Sequence, residues 1–150
     1  MAKTSQHRYG CEIPEEFADV RSEWLQLLME VGYVACGQGR PTQAATIFDG
    51  ISAVRPKSEL PLIGLAMAQM NLGKLTAACD TLVKRAKKLN PENLLVDTMA
   101  AMVFRMSGAV DESDAILNAV IEDGSDDCAV ELARHLKTED FAYLRERNRR

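Results

Sequence analysis

An internal period of 34 to 35 residues constrains this chain more than any other feature. Gly39 in GQGRP is followed 34 residues later by Gly73 in NLGKL, and Gly73 is followed 35 later by Gly108 in MSGAV. Other positions travel with these glycines at the same offsets: Gly32, Ala66 and Ala101; Ala44, Ala78 and Ser113; Phe48, Leu82 and Leu117. Pro56 leads to Pro91 at 35. One extra residue between Leu82 and Pro91 reconciles every series. Periods of this length mark repeat arrays, in which a unit cannot bury its apolar face alone and stacks on its neighbour.

Each series has a physical reading. A small residue midway along one helix lets the next helix approach closely, and the alanine facing it does the same from the other side. Glycine after the first helix supplies the left-handed conformation that ends it. Proline after the second helix cannot continue it and restricts the residue before it. The apolar periodicity then predicts helices at about 16–37, 41–54, 59–72, 75–89, 92–107 and 111–123. A last helix at about 126–137 would cover the open end of the array. Pro41 and Pro91 fall where a first turn tolerates proline, and Asp111 and Ser125 are candidate N-caps.

Composition narrows the functional classes. The chain is 47% apolar but only 5% aromatic, with abundant Ala, Leu, Met and Val, which favours helices over sheets. A net charge of −4 is of the wrong sign for a general nucleic-acid binder. No window approaches the length of uninterrupted apolar sequence needed to cross a bilayer. Met1 to Gly10 lack the apolar core of a secretory signal. Cys11, Cys36, Cys79 and Cys128 are far apart and read as small buried hydrophobes rather than disulfides, which points to a reducing cytoplasm. The expected layout is a polar N-terminal extension (1–13), a repeat domain (14–137) and a basic C-terminal tail or helix extension (138–150).

The spacing resembles the tetratricopeptide repeat, whose pattern has a small residue at its eighth position, alanine at its twentieth, a large apolar residue at its twenty-fourth and proline at its thirty-second. LMEVGYVACGQGRPTQAATIFDGISAVRP supplies Gly32, Ala44, Phe48 and Pro56 in those places. The second repeat keeps Ala66, Ala78 and Leu82. The third keeps Ala101 and Leu117, has Ser113 for alanine and lacks the closing proline. The resemblance covers about residues 24–123 and implies an all-α, right-handed array of about three helical hairpins with a C-terminal capping helix. In length and in the phrase GRPTQAATIFDGISAVRPKSELPLIGLAMAQMNLGKLTAACDTL, the chain is similar to the small tetratricopeptide chaperones of bacterial type III secretion, including the needle-subunit type. That resemblance implies a cytoplasmic chaperone keeping a secreted subunit unpolymerised, with a small co-chaperone as a possible second partner. A scaffold or adaptor in another bacterial assembly is the alternative.

The register supports a more local expectation. In such arrays the first helices of the hairpins line a concave face. Projection places Met29, Tyr33 and Cys36 there from the first repeat, Ile63, Met67 and Met70 from the second, and Thr98, Met102 and Met106 from the third. Five of the seven methionines fall on this surface; Met1 and Met99 do not. Methionine moulds to varied apolar partners, so this face is a candidate groove for an amphipathic helix. The competing reading makes these methionines ordinary core. Trp24, Phe17 and the acidic segment before them either cap the first helix within the chain or dock a co-chaperone.

No catalytic, metal or cofactor site is expected. His7, Cys11, Cys128 and His135 have no compact ligand spacing. GQGRPT lacks the lysine of a phosphate loop, and two histidines leave little scope for a triad. Asp123, Asp126 and Asp127 lack the ligand ladder of a calcium loop. The run Lys84-Arg85-Ala86-Lys87-Lys88 complements a helix C-terminus, and Arg145, Arg147, Arg149 and Arg150 form a solubilising basic tail.

Overall fold

The computed structural model describes residues 18–139 together with Phe141 and Glu146, and side-chain surroundings from Ser22 onwards. All regular structure among the described residues is helical. Helix α1 spans Ala18–Gly37, α2 Pro41–Val54 and α3 Leu60–Asn71. Helix α4 (75–89) runs continuously through Leu75–Asp80, Thr81–Ala86 and Lys87–Leu89. Then come α5 Leu94–Ser107, α6 Val110–Asp123 and α7 Asp127–Thr138. Three hairpins, α1–α2, α3–α4 and α5–α6, stack in order, and α7 closes the end against α5 and α6. This is the array of stacked helical hairpins with a closing helix that the spacing predicts.

The periodic glycines do the local work expected of them. Gly39, Gly73 and Gly108 have φ of 72°, 71° and 92°, the left-handed region where a side chain would be strained. Pro41 opens α2 at its first turn. The other cap assignments shift. Pro91 lies ahead of α5, and Asn93 caps that helix by accepting from the N–H groups of Leu95 and Val96. Asp126, not Ser125, caps α7 by accepting from Ala129 N–H at 3.0 Å. Asp111 lies within the first turn of α6, complementing the helix dipole there. Where the third repeat lacks a closing proline, Gly124 ends α6 at φ 68°.

The extra residue of the second repeat has a structural form. Residues Thr81–Ala86 make a π-helical turn. In the first repeat two exposed residues, Asp49 and Gly50, separate buried Phe48 from buried Ile51; in the third, Asn118 and Ala119 separate Leu117 from Val120. In the second, Val83, Lys84 and Arg85 separate Leu82 from Ala86. Three residues stand where the others have two. Widening one turn from i→i+4 to i→i+5 absorbs the insertion on the solvent side, so Leu82 and Ala86 both stay fully buried.

Packing follows the small-residue series. Phe48 is wholly buried, and its ring lies between Gly32 of α1 and Gly64 of α3. A Cβ at either glycine would come within 2.7 Å and 2.3 Å of the ring. In the later repeats leucine replaces Phe48 and alanine replaces Gly32, exchanging bulk between the two helices. Across the hairpin loops, Asn90 and Asn93 Nδ2 both donate to Glu59 Oε1, at 2.9 and 2.8 Å, tying the start of the second hairpin to the start of the third. Helix α7 buries Ala129, Val130, Ala133 and Leu136 and exposes Glu131, Arg134, His135 and Lys137. A polar outer face is what a terminal cap requires. Phe141, which falls in the segment 138–150, joins the core.

Candidate functional site

The face expected to be concave belongs to α1, α3 and α5, the first helices of the three hairpins, which neighbour one another in order. At 3.6 residues per turn, each residue's direction follows from its distance along the helix from the small residue that meets the second helix (Gly32, Ala66 or Ala101). Residues four further on lie only about 40° from that core direction, residues three back about 60°, the next residue about 100° and residues six back about 120°. Burial follows this order.

Cys36, Met70 and Arg105, four residues on, are all buried. Met106, which the sequence reading grouped with Cys36 and Met70, sits one residue past their true equivalent and is also buried in the core cluster. Of the residues three back, Ile63 and Thr98 are buried, and Thr98 Oγ1 donates to the Leu94 carbonyl at 2.9 Å. Five of the nine expected groove residues (Cys36, Ile63, Met70, Thr98 and Met106) are therefore core. The first four are turned toward neighbouring helices by their direction, whereas Met106, about 140° from the core direction, is buried against that order. Met99 is buried too.

Four remain accessible. Tyr33 is 37% exposed, with Met29, Met67 and Met102 half-buried against the core. Tyr33 leans on Phe48, ring centroids 5.0 Å apart, which fixes one edge of the face. Sequence reasoning missed the row six residues back: Gln26, Leu60 and Leu95. Leu60 is 52% exposed and Leu95 half-buried. The signal was present in the same register at 34 and 35, but the projection began one turn too late along each helix. Together Met29, Leu60, Met67, Leu95 and Met102 make a discontinuous apolar strip with Gln26 and Tyr33 at the α1 edge.

At the amino end of the strip is an open cleft of about 240 Å³, lined by Leu25 and Met29 of α1, Ile51 of α2, and Leu60 and Pro61 of α3. Arg55 stands at its rim and donates to Ser22 Oγ at 3.0 Å. The cleft can take one or two apolar side chains, with a cation beside them. Burial pushes the Cys36 thiol up, with a hydrogen bond to Asn71 pulling the other way. Burial, reinforced by the nearby Cys36, likewise pushes the Tyr33 phenol up.

Cys128 and His135 are both exposed on α7, while His7, Cys11, Phe17 and the arginines of the tail lie outside the described residues. Among the described residues no three His, Cys, Asp or Glu side chains gather as a metal site would need. No helix among them is long and apolar enough to cross a membrane. Lys84 pairs with Asp80 at 2.7 Å and Lys87 with Asp97 at 2.5 Å, which accounts for half of the basic run on α4.

Neither a known family model nor a curated protein sequence matches this chain. Solved structures do. The chain is similar to the type III secretion translocator chaperone SycD of Yersinia enterocolitica, in a structure described as an alternative dimer, with a TM-score of 0.67 and 14% identity over 91% of this chain and 96% of that one. It is similar to SycD in complex with a peptide of the translocator YopD, with a TM-score of 0.65 and 14% identity over 91% and 97% of the two chains. A type III secretion complex from Aeromonas hydrophila gives a TM-score of 0.65 and 16% identity over 89% and 86%. At such identities the likeness is one of fold, and it extends over nearly the whole array.

Proposed function

We propose that this chain is a non-catalytic binding module that acts as a type III secretion chaperone, laying an amphipathic segment of a secreted subunit along the concave strip. The observation that carries the reading is the open apolar strip of Met29, Leu60, Met67, Leu95 and Met102, presented by an array whose fold matches a translocator chaperone solved with a translocator peptide. Unbranched side chains on such a strip repack around guests of differing shape, and a guest helix would anchor at i, i+3 or i+4 and i+7. Covering that face of the guest removes the surface through which it would self-associate.

The sequence resemblance favours a needle-type guest, whereas the structural neighbours include translocator chaperones. Co-expression with each kind of subunit, followed by mass spectrometry of the purified complex, separates the two. A one-to-one complex that prevents polymerisation supports the chaperone reading. Leu60→Glu is the point test, because its exposed side chain tolerates charge: it should weaken capture at least about tenfold, by setting an unpaired carboxylate against an apolar guest, with little loss of stability. Unchanged capture would refute the groove. A chain that instead bridges two stable proteins would be the scaffold or adaptor alternative.

A further inference from the structure

The third hairpin keeps an ion pair where the other two keep uncharged side chains. Four residues on from its small residue stands Arg105, at the place of Cys36 and Met70; on α6 stands Asp114, at the place of Ala45 and Cys79. Arg105 is only 8% exposed, and its Nη2 donates to Asp114 Oδ1. Cys36 and Met70 are buried in the same position, so the array closes there without charge. Replacing a buried ion pair by apolar residues of like volume is commonly neutral or stabilising, and the fold therefore gives no reason for this one. Nor is the pair complete. Arg105 Nε and Ser113 Oγ, the latter next to Asp114 in the chain, are buried with no hydrogen-bond partner among the described residues. Buried polar groups are almost always partnered, so an open donor on a guanidinium implies an acceptor supplied from elsewhere. Asp114 holds the guanidinium by one nitrogen, and its own side chain is 42% exposed.

We propose, resting on the groove reading above, that Arg105 is a specificity-determining residue: it takes a carboxylate of the guest segment, and Asp114 is the placeholder that the guest displaces. The helix register puts Arg105 within reach. It lies about 40° from the core direction, on the same side as Met102 at about 100° and Leu95 at about 120°. Arg105 thus underlies the third-repeat end of the apolar strip, about one turn beyond Met102. The exchange conserves charge, since one carboxylate leaves as another enters. Asp114 is already partly in water, so its release needs little rehydration, and Arg105 is never left as an unpaired buried cation. A guest carboxylate also offers what Asp114 does not. It can accept from Nε–H and an Nη–H together, the two-pronged geometry a guanidinium favours, which closes the open donor. Arg55, at the amino end of the strip, is exposed and donates to Ser22, so its head group carries no such deficit.

The probes are two synthetic helical peptides with leucine at i, i+3, i+4 and i+7, one flanked at both ends by glutamate and its twin by glutamine. Each is titrated calorimetrically into the full chain at about 0.15 M salt, where charges more than about 8 Å apart are screened. The glutamate peptide should bind about fivefold tighter than its twin, less than an unopposed charge-assisted hydrogen bond supplies because Asp114 competes. D114N weakens the competitor and should widen that margin to about tenfold or more; a purely structural pair would leave the margin where it was. R105M gives the third repeat the residue of the second. It should erase the preference while leaving the glutamine peptide's affinity within about twofold and the melting temperature within a few degrees. D114N changes a partly exposed side chain and tests the same exchange should R105M fold poorly. R55Q should keep the preference. A preference unchanged in R105M, lost in R55Q or no wider in D114N would overturn the proposal. Equal binding of the two peptides, weakened alike by L60E, would remove Arg105 from selection and leave the groove standing. Binding of neither peptide, or binding indifferent to L60E, would overturn the groove and this role of Arg105 together.

Discussion

Replacing Gly64 by alanine isolates the contact on which the stacking of the first two hairpins depends. A Cβ there would lie 2.3 Å from Phe48 Cε1, 2.5 Å from Cδ1 and 2.6 Å from Cζ. Retreat is closed to the ring: a Cβ at Gly32 would already be 2.7 Å from Cζ on the other side, so α1 occupies the space it would need. The helices must part, at an overpacking cost of about 1–3 kcal/mol or somewhat more. Alanine returns about 1 kcal/mol through its better helix propensity. The expected net loss is about 1 kcal/mol, reaching about 2 at the upper end of that cost, equivalent for a domain of this size to a fall of roughly 3–6 °C in melting temperature. Phe48→Leu should rescue it, because Leu82 and Leu117 fill the equivalent place in the other repeats. That substitution alone leaves a void worth about 1–2 kcal/mol. In G64A/F48L the void accepts the new methyl, so the double variant should be more stable than the sum of the singles by about 1–3 kcal/mol. Thermal and urea unfolding followed by circular dichroism measure all four corners of the cycle. A Gly64→Ala variant that melts higher than the parent, or a strictly additive cycle, would refute the wedge.

Three further outcomes follow from the same structure. Deleting one of Val83, Lys84 or Arg85 should convert the π turn to regular α-helix and leave the array folded with its melting temperature kept or raised, whereas deleting an exposed residue from an unbulged helix, such as Asn118, should rotate later core residues out and cost several kcal/mol, about the value of misplacing two or three apolar side chains; unfolding experiments on both deletions decide it. Asn93→Ala should cost about 1–2 kcal/mol, because it removes both a helix cap and one of the two amides holding Glu59, and a change under a few tenths in urea unfolding would count against it. Burial pushes the Glu59 carboxyl up, but the amides of Asn90 and Asn93 and a backbone hydrogen bond outweigh it and leave it below the usual carboxylate range. Its contribution is therefore present above the unfolded value of about 4.3 and is lost as pH falls through the lower folded value; Glu59→Gln should flatten stability against pH in that acid window, and an unchanged profile would dismiss the linkage.

Much of the array was legible because it is local or periodic. Gly39, Gly73 and Gly108 end helices by backbone sterics alone, and Gly32, Phe48 and their successors mark the faces that must meet. Even the one-residue insertion could be located between Leu82 and Pro91, since both flanking series had to stay in phase. Its form could not: whether an extra residue becomes a loop, a kink or a π turn depends on Leu82 and Ala86 both being held in the core by other helices. The same limit explains the candidate site. Cys36, Met70 and Thr98 share a register with Tyr33 and Met67, but a difference of about 40° to 60° around the helix matters only once neighbouring helices are in place to cover one and not the other. Leu60 opens for the same reason.

The linear order of residues thus determined the elements, their phase and the surfaces that seek partners. Which surfaces found one was decided by stacking: Leu65 and Ala100 are buried by the hairpin before them, while Val31, chemically their equal, is left in solvent. Burial is a property of pairs of helices, and a single strip of sequence names only one member of each pair.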